Sequence, residues 1–449
     1  MPAPTLVIQT TYAELLERCV AASFRDAFSE DGSFTSKTVK GRRYWYFQAQ
    51  TGKGRSQRYV GPETPKLLER IERHKEIRDD ERERRSLVST LVRSYALPAP
   101  VSPIGDVIAA LARAGIFRLR SVLIGTVAYQ CYPAMLGVKL PGALLQTGDV
   151  DIAQFTNVSL ATGDQTPPML SVLKEVDKSF RKIPHTAGNE FATSYVDRRG
   201  LRVEFLTPNV GPDTDTPQSL PALRTDAQPL RFLDFLIHEP DQAVVLHGGG
   251  VLVLVPAPER YAVHKLILCV RRRMGNVKRD KDLKQAQTLI EPLLGKRPRE
   301  LAAAWEEAFA RGPTWRQLLL DGTSRLEPEA RDLLLKALGR ARAVLPGIKL
   351  TLGTSAVRYD STREVVTFTG EALGYSVGCA VSREALEDYF GADNLDRAGR
   401  LEAFHKNRSE IEGMIRTMYL TWPVETAGSV LLATADVEKL RKPATRANS

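Results

Sequence analysis

The sequence of 449 residues is poor in cysteine: Cys19, Cys131, Cys269 and Cys379 lie far apart, with no Cys-x-x-Cys spacing. A disulfide framework or a zinc cluster is therefore not expected, and a reducing cytoplasm fits best. The chain also lacks any apolar run near the ~20 residues a membrane helix needs, so no membrane association is expected. Its opening, "MPAPTLVIQTTYAELLERC", carries acids where a secretory leader would need an apolar stretch. Internal repeats are missing as well. What remains is an ordinary globular composition, 43 % hydrophobic and 26 % charged, with a formal net charge of +10. Such a length implies two to four domains. The positive balance favours polyanionic partners such as nucleic acid or nucleoside triphosphates.

One segment lacks acids altogether. Between Ser33 and Val60 there are seven basic residues, no acidic one and six interleaved aromatics. Glycines at 41, 52, 54 and 61 mark turns, so the segment reads as three short strands. Arg42, Arg43, Tyr44, Trp45 and Arg58 offer a nucleic-acid contact, cations for phosphate and rings for stacking. The competing reading is a small sheet with an aromatic core and solvated basic edges. Thr64-Pro65 then opens a long charged helix, and "ALPAPVSP" ends it.

Downstream, a helix (104–114), a strand (121–124), a helix (127–135) and a strand (149–152) follow in turn. "SYVDRRGLRVEFLTP" reads as a hairpin, "DTDTPQSLPALRTDAQP" as a loop, and "AVVLHGGGVLVLVPAP" as a second hairpin. Residues 259–344 read as helices broken near Pro292 and Pro313. The last region returns to strands and closes with helices.

The chemistry concentrates in "TGDVDIA". Asp149 and Asp151 are i and i+2 on a strand and project to one side, while Val150 and Ile152 face the other. Two like charges so close raise each other's cost of ionisation. A divalent cation removes that cost, and oxygen-only ligands suit Mg2+ or Mn2+. "LRVEFL" offers Glu204 as a third acid in an apolar strand, costly there unless paired or metal-bound. Asp197, near the turn, is expected to be solvated. Gly125-Thr126 follows an apolar strand and precedes a helix, where backbone amides bind phosphate.

With these residues in view, the chain resembles the nucleotidyltransferase superfamily with the DNA polymerase beta fold. That superfamily has a Gly-Gly or Gly-Ser pair, then Asp-x-Asp or Asp-x-Glu, then a third Asp on a later strand. The matching positions are Gly125-Thr126, Asp149/Asp151 and Glu204. Threonine and glutamate replace two usual residues, and the gap from Thr126 to Asp149 is longer than is common. The wordings "GTVAYQCYP", "TGDVDIA", "PAPERYAVHKLIL" and "KDLKQA" are similar to bacterial proteins of the NTP-transferase-8 type, over about residues 103–294. The resemblance implies transfer of a nucleotidyl group from an NTP to an acceptor, RNA, protein or small molecule. It implies catalytic and metal roles for Asp149, Asp151 and Glu204. Gly125, Thr126 and Lys265 would bind nucleotide, and Asp282 would orient a basic side chain. The alternative is a degenerate core acting as a nucleic-acid-associated binding module. Residues 357–420 resemble domain of unknown function 1488, which adds no chemistry.

A serine hydrolase is the competing enzyme class, from "HGGG" and "GYSVG". It fails because Ser376 continues in strand-like alternation where a nucleophile elbow needs a sharp turn into a helix. The fold class expected is α+β: a nucleotidyltransferase-like mixed sheet with flanking helices, a following helical domain, and small N- and C-terminal β-containing modules. The divisions are 1–62, a basic three-stranded module; 63–99, a linker helix; and 100–258, the core. They continue with 259–345, helical; 346–435, a small α/β module; and 436–449, a disordered tail. The sequence leaves the oligomeric state open.

Overall fold

The computed structural model describes residues 5–23, 32–39, 42–51, 54–144, 148–161, 165–183, 192–272, 276–353, 355–372, 375–393, 395–422 and 429–441. Two compact units divide the chain, Met1–Ala257 and Pro258–Ser449. The whole is a mixed α/β protein, as its sequence patterning implies.

The first unit begins with a helix that sequence reading did not anticipate, α1 (Thr5–Ser23). Ile8, Tyr12, Leu15 and Cys19 recur at helical spacing and are all buried. The acid-free segment forms an antiparallel sheet, β1 (Gly32–Val39), β2 (Arg42–Thr51) and β3 (Gly54–Pro62). Helix α2 (Pro65–Ser89) starts where the sequence places it. The Thr64 hydroxyl caps it by accepting from the Leu67 amide at 3.2 Å, with Pro65 in the first turn.

The core follows: α3 (Ser102–Arg113), β4 (Val122–Ile124), α4 (Gly125–Leu136), β5 (Asp149–Ala153), α5 (Thr156–Ala161) and α6 (Met169–Val176). It continues with β6 (Arg181–Lys182), β7 (Ser194–Val196), β8 (Arg202–Pro208), β9 (Gln218–Leu220), β10 (Thr225–Leu230), α7 (Leu233–Leu236), β11 (Asp241–Val245) and β12 (Val251–Val255). One mixed sheet runs β4-β5-β8-β10-β9, and β7 joins β8 and carries β6 at its outer side. β5 and β8 are parallel, β4 and β7 antiparallel to their neighbours. The segment expected as a loop, Asp213–Pro229, instead supplies β9 and most of β10. Its prolines disguised short strands, yet Leu220, Leu223 and Ala227 are fully buried.

"HGGG" is the turn of the β11–β12 hairpin. Gly250 has φ +88°, and a Cβ there would lie 2.9 Å from both Cys19 Sγ and Val244 Cγ1. Arg84 of α2, buried, donates to the Gly249 carbonyl at 3.0 Å. The Tyr12 hydroxyl accepts from the Val244 amide at 2.9 Å. The glycines thus let α1 and α2 seat on the turn, which accounts for the motif without an oxyanion loop.

The second unit starts with α8 (Pro258–Arg271), α9 (Val277–Lys296), α10 (Pro298–Ala310), α11 (Pro313–Ser324) and α12 (Pro328–Ala337). Pro313 opens a helix, but Pro292, expected as a break, lies inside α9. Leu289, Ile290 and Leu293 around it are fully buried, and that packing outweighs the lost hydrogen bond. Strands β13 (Arg358–Asp360), β14 (Val365–Ala372) and β15 (Tyr375–Ser382) come next. Helices α13 (Arg383–Phe390), α14 (Arg397–Lys406) and α15 (Arg408–Thr421) follow. Strand β16 (Ser429–Leu432) then pairs parallel to β15, and α16 (Thr434–Arg441) ends the described chain. Ser376 lies within β15, opposite Glu371. Val437 of α16 is fully buried in this module's core, so the chain is packed beyond the point where a tail was expected to begin. Residues 442–449 of that expected tail lie outside the described residues.

Candidate active site

Three adjacent strands set the geometry. Ile124 of β4 is paired with Asp151 of β5, and Asp151 with Glu204 of β8. Partners in register project to the same face, so the two acids share it, and Asp149 stands one step along. Val150, Ile152, Val203 and Phe205, at the alternate positions, are completely buried. Asp149, Asp151 and Glu204 are half-buried, so their face reaches solvent.

Gly125, the residue after Ile124, opens α4 with φ +68°. A Cβ at this position would fall on the Asp151 Oδ2 and within 3.2 Å of its Cγ. A side chain on a backbone turned this way would displace the carboxylate, and glycine does not. The helix N-terminus therefore abuts the acid, and its positive dipole end favours negative charge there. Thr126, half-buried, is the next residue of that first turn.

Glu204 is engaged by a residue sequence reading overlooked. Arg202 Nη1 lies 3.2 Å from Glu204 Oε1. The two are i and i+2 on β8, the same spacing that marked the aspartates, and Arg202 is also the register partner of Asp149. The donor chemistry, carboxylate oxygens on one face, fits a hard divalent cation. Among the described residues, no three acid, histidine or cysteine side chains close into a ready metal cage.

Asp197, expected to be solvated, is buried. Its Oδ1 accepts from the Arg199 and Leu201 amides at 2.8 and 2.9 Å and shapes the β7–β8 turn. Lys265 belongs to the second unit. Its Nζ is 2.5 Å from Asp282 Oδ1, and Arg272 Nε is 2.6 Å from Asp282 Oδ2. Asp282 is buried and carries both cations. His264, beside them, is buried for packing. Desolvation first, then the neighbouring Lys265, pulls its imidazole down to about 3.

Of the five residues expected as a nucleic-acid grip, Arg43 and Trp45 of β2 are those whose side chains are described. Trp45 Nε1 donates to Glu63 Oε2 at 2.9 Å, and Arg43 lies 3.5 Å from the same oxygen. That acid offsets part of the positive charge. The side chains of Arg42, Tyr44 and Arg58 lie outside the described residues. All four cysteines are free and buried. Burial pushes the Cys131 and Cys269 thiols up to about 12.

Residues 102–310 match a nucleotidyltransferase family (NTP_transf_8), residues 354–432 a protein family of unknown function (DUF1488), and residues 7–70 a domain of unknown function (DUF6788). No curated protein matches the chain. Among solved structures, the chain is similar to an antigenic nucleotidyltransferase-like protein from Paracoccidioides brasiliensis. Identity is 12 %, over 49 % of this chain and 94 % of that one, with a TM-score of 0.25. The general chemistry the family match supports is nucleotidyl transfer.

Proposed function

We propose that the protein is a metal-dependent nucleotidyltransferase that moves an NMP group from an NTP to an acceptor. The observation that carries this reading is the register across β4, β5 and β8. It sets Gly125, Asp151 and Glu204 side by side, with Asp149 on the same face.

Asp149, Asp151 and Glu204 would hold Mg2+ or Mn2+. Such an ion, when bound, supplies charge neutralisation on the phosphates. The first amides of α4 and the Thr126 hydroxyl take phosphate oxygens. Gly125 keeps the backbone close enough for the carboxylate and the phosphate to meet at one helix end. Glu204 takes the proton of the acceptor's hydroxyl once Arg202 turns from it towards phosphate. A degenerate, binding-only core is the competing reading, favoured by the Arg202–Glu204 pair.

The test is incubation of the protein and a cell extract with α-labelled NTPs and Mg2+ or Mn2+. Label enters the acceptor, and Asp149→Asn or Asp151→Asn lowers its rate at least about 100-fold, the scale of losing electrostatic stabilisation of the transition state. Label transfer that survives both substitutions overturns the site. Nucleotide retained without any transfer supports the degenerate core.

A further inference from the structure

The sheet that carries the acids continues past Glu204, and its chemistry changes sign. Ser194 of β7 pairs with Glu204, and Val196 with Arg202. Arg181 of β6 in turn pairs with Val196. Two rows therefore cross the sheet on one face. The first is Ile124–Asp151–Glu204–Ser194, and the second Asp149–Arg202–Val196–Arg181. Arg202 and Arg181 are both exposed and stand two strand spacings apart, about 10 Å. Tyr195 and Val203, between them on the other face, are buried, so the arginines lie on the solvent side.

Two tied turns add to this edge. Asp197 fixes the turn bearing Arg198 and Arg199. The Arg198 amide donates to Ser179 Oγ at 3.1 Å, which joins that turn to the one bearing Lys178. Asp177 Oδ1 closes the second turn by accepting from the Ser179 amide at 2.8 Å. Lys178, Arg198 and Arg199 are exposed on these braced backbones. Hydrogen bonds from Ser179, and then the pull of Arg198 and Arg199, hold the Asp177 carboxyl below its usual range.

The order across the sheet matters. The helix end proposed for the triphosphate lies at β4, the carboxylates at β5 and β8, and the cations run from Arg202 of β8 through the β7–β8 turn to Arg181 of β6. An in-line transfer requires donor and acceptor on opposite sides of the reacting phosphorus. Donor and acceptor are thus assigned opposite ends of one face. We infer that the acceptor is a nucleic acid, held by its phosphate backbone along the β8–β7–β6 edge beside the carboxylates. This rests on the nucleotidyl-transfer reading. Phosphate contacts of this kind position a strand and are independent of its sequence.

The experiment uses the full-length protein and a fluorescein-labelled 20-nucleotide single-stranded RNA, with anisotropy read between 50 and 200 mM salt. The variant is Arg181→Ala/Arg199→Ala, at two exposed residues away from the acids. Losing two phosphate contacts flattens the slope of log K against log salt by about 1.4. Binding of a fluorescent NTP analogue with Mn2+ stays unchanged, and label transfer to RNA falls through KM more than kcat. An unaltered salt slope overturns the inference. So does weakened NTP binding, which would assign the cations to the triphosphate, or label that appears only in protein or small molecules. If RNA binding depends on the two arginines while no label moves, the surface stands and the transfer reading fails.

Discussion

Replacing Gly125 with alanine tests the close approach on which the site is built. Two costs combine. The backbone at φ +68° is unfavourable for an L-residue by about 1–2 kcal/mol. The new methyl also lands on Asp151 Oδ2, and Asp151 is tied into β5 between two strands, so the carboxylate must swing off its rotamer. Overpacking of this kind costs about 1–3 kcal/mol. Together they lower stability by about 2–5 kcal/mol, read as a shift of the urea midpoint. In an Asp151→Ala background the carboxylate is gone, and only the backbone cost of about 1–2 kcal/mol remains. The double-mutant cycle therefore shows a coupling of about 1–3 kcal/mol. Equal costs of Gly125→Ala in both backgrounds would refute the reasoning, because the glycine would then not be there for the carboxylate.

Acidification reports on His264. The folded imidazole stays neutral down to about pH 3, whereas the unfolded one takes a proton near 6.5. Between those values the unfolded state binds more protons, so stability is complete above the window and falls as the pH drops through it. At pH 5 the loss is about 2 kcal/mol relative to pH 7.5, and the pH dependence is flatter in His264→Asn, as chemical denaturation will show. Gly322→Ala would drive a Cβ into the Leu266 carbonyl where α11 meets α8, and should cost about 2–3 kcal/mol in a thermal scan. Asp332→Asn strips the buried Arg342 guanidinium of its bidentate partner, at 2.6 and 3.1 Å, and should cost about 3–5 kcal/mol by urea unfolding.

Much of the site was legible because it follows a local rule. Asp149 and Asp151 share a side by strand periodicity, and Gly125-Thr126 sits where an apolar strand gives way to a helix. Register across strands is not local. Nothing in "LRVEFL" says that Glu204 stands opposite Asp151, although the i, i+2 rule already placed Arg202 beside Glu204. Helix α1 escaped because its apolar positions are interrupted by threonines and acids. Strand β16 escaped because its parallel partner is about fifty residues earlier in the chain. Pro292 shows tertiary packing overriding a local breaker.

The glycine turn of the β11–β12 hairpin has a consequence for biosynthesis. Cys19 and Tyr12 of the first helix meet partners 230 and 232 residues later in sequence. During translation, then, helix α1 can meet Val88, Leu91 and Leu97 early, but its apolar side is fully covered only when nearly the whole unit has followed. Chaperone capture of ribosome-bound chains should consequently persist until the hairpin has cleared the exit tunnel, and end soon after.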